Sequence, residues 1–170
     1  MKKLGLLVLA TIVLSSASAV SVAAADKARQ DIVAKRGPDV MPFALNATTH
    51  IFTKTKTGGI QQVVVKSAKN TAQTRLIRAH LKEIAAQFSK GDFSGPSHIH
   101  GADMPGLAEL KQADPSAIKV RYKDIRSGAR IAYATDNPEL VQALHKWFDA
   151  QLSDHGHDAM EEHDHSRMHR

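Results

Sequence analysis

Two stretches of this chain carry the same helical pattern. LIRAHLKEIAAQF (76–88) lies over LVQALHKWFDAQL (140–152) without a gap, with five identities in thirteen positions. The same local signals precede each. Phe43 to Thr55 is rich in β-branched and aromatic residues and reads as a strand, Gly58-Gly59 supplies turn chemistry, and Ile60 to Lys66 reads as the return strand. Asn70 then stands as an N-cap with Gln73 as its reciprocal partner, ahead of Leu76, Ile77, Leu81, Ile84 and Phe88 at helical spacing. In the second half, Ile118 to Asp124 and Ala129 to Thr135 are strands around Ser127-Gly128. Asn137 caps a helix that opens on Pro138 and shows Leu140, Val141, Leu144, Phe148 and Leu152 on one face. The expected fold is α+β: a duplicated ββα unit over 43–153, giving a four-stranded, mainly antiparallel sheet with two helices on one face.

The ends speak to location. Lys2 and Lys3, the apolar run Leu4 to Leu14 and the Ala-x-Ala steps at 17–19 and 23–25 read as a secretory signal over 1–25, cleaved near Ala25. A run that short does not span a bilayer, which takes about 20 residues, and no second apolar run follows, so the mature chain is expected to be periplasmic without a membrane span. Residues 26–42 form a lead in which Asp26 to Arg36 is a short polar helix stopped by Gly37-Pro38. With no cysteine, the fold must rest on packing. The net charge of +6 is scattered and aromatics make up only 5% of residues, so no stacking platform for nucleic acid is expected.

The chemistry lies in histidine. Five of ten histidines (His155, His157, His163, His165 and His169) fall in the polar tail 154–170, as two His-x-His pairs and a last residue, together with Met160 and Met168. Imidazole with thioether suits copper, with zinc or nickel as alternatives. A second donor set stands in the loop 89–106, which holds four glycines and two prolines. If that loop is extended, His98 and His100 point the same way and share a cation, with Met104 in reach beyond Gly101. His80 and His145 each lie beside a helix's apolar stripe and could approach one seam. His50 shares a strand face with Thr48 and Phe52; it joins the site if the sheet's helix-free face is part of it, but a strand histidine of this kind is more often simply exposed there. Pro105 opens a short helix over Gly106 to Gln112.

The segments MPFALNATTHIFTKTKTGGIQQVVVK, GDFSGPSHIHGADMPGLAEL and YATDNPELVQALHKWFDAQLSDHG resemble a family of small exported bacterial proteins that often carry the name aspartate carbamoyltransferase. The resemblance covers about Val40 to His157 and implies a shared periplasmic domain. It does not imply that reaction. The transferase's Ser-Thr-Arg-Thr and His-Pro-x-Gln motifs are absent, Gln73-Thr74-Arg75 being the nearest fragment. No Gly-x-Ser-x-Gly, His-Glu-x-x-His or cysteine nucleophile occurs either.

The leading expectation is a periplasmic protein that buffers or delivers copper, or else zinc or nickel, through His and Met, releasing it as pH falls through about 6–6.5. The alternative is a non-catalytic module that binds a small ligand or a periplasmic protein partner, with the tail as an accessory chelator. The third reading is an enzyme using Asp103, His100 and His145 as acid–base groups.

Overall fold

The computed structural model describes residues 17–162. Five α-helices and five strands are described: α1 (Ala17–Arg36), β1 (Thr48–Thr55), β2 (Gly58–Val65), α2 (Thr71–Phe88), α3 (Ser94–His100), α4 (Leu107–Gln112), β3 (Lys119–Ile125), β4 (Gly128–Ala134), α5 (Pro138–His155) and β5 (Ala159–Glu161). The strands form one mixed sheet in the order β3-β4-β2-β1-β5. Both expected hairpins are present, and they join antiparallel through β2 and β4.

The sheet departs from the four-stranded expectation at its far edge. There β5 pairs with β1 in parallel, His50 opposite Ala159 and Phe52 opposite Glu161. Three residues carry too little periodicity to announce a strand; their pairing comes from the edge that β1 offers. The order strand–strand–helix does occur twice, but α3 and α4 stand between the two occurrences and α1 and β5 lie outside them. A bare duplication therefore does not describe the chain.

Local signals account for the helix starts. Asn137 Oδ1 accepts from the N–H groups of Glu139 (2.8 Å) and Leu140 (3.4 Å), and Pro138 occupies the first turn, where its missing N–H costs nothing. Asn70 Oδ1 accepts from Gln73 N–H at 3.3 Å. The expected reciprocal half is not made: Gln73 Oε1 instead accepts from Ala44 N–H at 2.7 Å, tying α2 to the lead into β1.

Period-two burial along β1, β2 and β4 sends Phe52, Val63, Ile131 and Tyr133 against the helices, where they meet Leu81, Phe88, Trp147 and Phe148. Gly106, at φ 79°, lets α4 start against α5: a Cβ there would lie 2.1 Å from the Ala143 carbonyl oxygen. Among the described residues no helix is long and apolar enough to cross a membrane. The run Leu4 to Leu14 lies outside them.

Candidate functional site

The tail does not begin where composition changes. Asp154 and His155 form the last turn of α5, Gly156 at φ 53° ends the helix, and the chain returns into β5. His155 continues the buried stripe Leu144, Phe148 and Gln151 at helical spacing, and is itself 9% exposed. It belongs to the interior, not to a solvated appendage. Only His157 of the described tail histidines is exposed, 3.6 Å from an Asp158 oxygen. His163, His165 and His169 lie outside the described residues.

His155 faces two other imidazoles. Its ring stacks on His50 with centroids 4.6 Å apart and planes 8° apart, and meets His100 edge-on at 5.1 Å and 76°. With His80, Phe43 and Trp147 these rings line a cavity of about 40 Å³ between sheet and helices. His50 is 3% exposed and points toward the helices, correcting the expectation of an exposed residue on the free side. Its parity with Thr48 and Phe52 is as expected, but that parity is the covered one: all three are buried.

The donors differ in how they are held. His100 Nδ1 lies 2.8 Å from Asp154 Oδ2. Arg29 of α1 donates through Nη2 to the same carboxylate oxygen at 2.8 Å and to the His100 carbonyl at 3.0 Å, with Nε bonded to the other carboxylate oxygen. An ionised Asp154 accepts the Nδ1–H of His100, so Nε2 is the ring nitrogen left for another partner. By contrast, His50 Nδ1 is buried without a partner among the described residues, as is Trp147 Nε1. A buried polar atom without a partner costs about 1–3 kcal/mol.

Burial sets the charge state. It pushes His50 down to about 4, helped by the imidazoles of His100 and His80. His155 falls well below its usual range through burial and then through His50 and His100, and burial lowers His80. Burial alone would raise the Asp154 carboxyl, but hydrogen bonds from His100 and Arg29 outweigh it and hold the group below its usual value. Burial thus favours the neutral form of His50, His155 and His80, while a carboxylate–guanidinium pair stands behind His100.

The other candidates are dispersed. Ser94–His100 is a helix, so His98 and His100 stand about 200° apart around its axis rather than on one side. His98 is exposed beside Asp39, Nε2 to Oδ2 3.1 Å, and Met104 is a core residue at 1% exposure. His145 Nε2 donates to the carbonyls of Thr55 (3.0 Å) and Gly58 (2.9 Å), fastening α5 to the β1–β2 turn. It does not line the cavity with His80. Asp103 lines an outer cleft with Arg29 and Asp154, so the Asp103, His100 and His145 trio is not assembled.

The chain matches no protein-family model, no curated protein and no solved structure. Among the described residues no group of three or more His, Asp or Glu side chains is already arranged to hold a metal ion. Sequence reasoning selected His80, His100 and His155 but missed Asp154 and Arg29 and undervalued His50. The apolar stripe of α5, carried one turn past Leu152, was the available signal for Asp154 and His155.

Proposed function

We propose that this protein binds a transition-metal ion, copper or else zinc or nickel, in the cavity between His50, His100 and His155, and buffers or delivers it in the exported compartment its N-terminal residues imply. The observation that carries this reading is the spacing of the His155 ring from those of His50 and His100. A tetrahedral ion with metal–nitrogen bonds of about 2.1 Å places imidazole centroids about 5 Å apart. The His155 ring stands 4.6 Å from that of His50 and 5.1 Å from that of His100.

Orientation is what binding must change. Stacked rings put their lone pairs in parallel planes, so His50 and His155 do not yet converge on one point. Binding a metal here requires the His155 ring to turn about its Cβ–Cγ bond until its nitrogen converges with the Nδ1 of His50 and the Nε2 of His100. Asp154 serves as the carboxylate behind a ligating histidine, a partner that fixes the tautomer and raises basicity. The size of the space also weighs against an organic ligand: about 40 Å³ is far below the roughly 300 Å³ at which such sites begin.

The test is titration of the full chain with Cu(II), Cu(I) under reducing conditions, and Zn(II), beside a variant in which His157, His163, His165 and His169 are all alanine. The expected result is one tightly held ion per chain in both, lost in His50→Ala and in His155→Ala. Loss of all tight binding with the four tail substitutions would sink the buried site and leave only a chelating tail.

A further inference from the structure

The face of the sheet turned away from the helices carries a charge pattern unrelated to the histidines. Alternation along β3 places Lys119, Arg121 and Lys123 on this open side, all exposed, and the hairpin register sets Arg130 of β4 directly opposite Lys123. Same-side strand residues recur every ~6.8 Å and neighbouring strands lie ~4.8 Å apart, so the four cations fall within ~14 Å. The nearby acid does not neutralise them. Asp124 has the opposite parity, lies on the helix side, and meets Arg78 of α2 at 3.5 Å. Among the described residues none of the four cations forms an ion pair within 4 Å. Glu162, beyond β5, reaches this face at one place: Gln62, which donates to its carboxylate at 3.2 Å, stands opposite Arg130 in the β2–β4 register, while Lys119, Arg121 and Lys123 lie on the far edge strand.

Edge protection explains part of this pattern. Lysines on an outer strand discourage pairing with another chain. It does not explain Arg130, which stands on an interior strand and faces a like charge, an arrangement that costs stability. Around it the face is partly apolar: Ala132 and Ala134 are small, and Ile51, Ile60 and Val64 are half-buried on the same side. Among the described residues no aromatic ring interleaves the cations. Tyr122 turns to the helix side, its hydroxyl donating to the Arg78 carbonyl at 3.1 Å, and Tyr133 is buried. Base stacking therefore has no platform here.

We propose that this open face docks on an anionic lipid surface, with Lys119, Arg121, Lys123 and Arg130 set among phosphate headgroups and the small aliphatic side chains lying flat against the interface. Clustered basic residues on a surface are drawn to anionic leaflets, and the attraction falls off within a Debye length. The metal site is on the other side of the sheet, so docking leaves it unobstructed.

Co-sedimentation of the full chain tests the proposal, using vesicles of phosphatidylcholine alone and of phosphatidylcholine mixed with phosphatidylglycerol. Binding is expected to the mixed vesicles only, to weaken as salt rises, and to fall at least tenfold in Arg121→Gln/Lys123→Gln. The control Lys69→Gln/Lys90→Gln removes two cations elsewhere and is expected to bind as the parent does; circular dichroism confirms that both variants fold. Equal loss in the two variants would reduce the effect to net charge and overturn a defined face. Absence of binding to the mixed vesicles, or tighter binding to a single-stranded oligonucleotide than to them, would overturn the lipid assignment.

Discussion

His50 shows what burial does to an imidazole. Its folded value of about 4 lies below the ordinary 6.5, so between those limits the unfolded chain holds the extra proton. Stability from this group is complete above about 6.5 and is lost as pH falls toward 4, by roughly 3 kcal/mol for His50 alone. His155 and His80 shift the same way. Urea unfolding of chelator-treated protein should therefore show its midpoint dropping between about pH 7 and about pH 4.5, and dropping less in His50→Phe. A midpoint indifferent to pH would mean that these rings are solvated. Asp154→Ala leaves the His100 N–H and the Arg29 guanidinium without their acceptor, and is expected to cost about 2–3 kcal/mol in the same assay. His98→Ala, which removes only an exposed contact with Asp39, should stay within about 0.5 kcal/mol. His145→Ala separates fold from site: the lost anchor to the β1–β2 turn should cost about 1–2 kcal/mol, while the metal stoichiometry stays as in the parent.

Among the elements, the hairpins and the two Asn-capped helices were legible because each is written locally, in alternation, turn glycines and 3.6-residue stripes. α3 was not. Its sequence SGPSHIH carries a glycine and a proline in seven residues, and its start is supported by Asp92 Oδ1 accepting from Ser94 N–H at 2.9 Å, a turn feature that composition does not single out. That one helix decided whether His98 and His100 act together. α4 depends on its neighbour as closely as on its own residues. Gly106→Ala would push a methyl into the Ala143 carbonyl at a positive φ, and the expected loss exceeds about 2 kcal/mol, read as a lower denaturant midpoint. An unchanged midpoint would show that α4 is not seated on α5 as described.

Across the whole molecule, what stayed hidden was distance along the chain. His80, His100 and His155 could each be named from local context, but nothing local says that the last turn of α5 returns to His50 on the first strand. The return is made by β5, and a chain ended after Gly156 lacks it. That chain should unfold at lower denaturant and self-associate, because β1 becomes an open edge; sedimentation velocity reads the second effect.

The same return also governs timing. A polypeptide emerges from a ribosome, or threads a translocation channel, with its first strand leading. His50 is therefore outside long before α5 has ended, and the pocket has no third wall until almost the entire sequence has followed. Whatever the cavity captures, it captures only once nearly the whole chain is in place, since before then there is nothing yet closed to hold it.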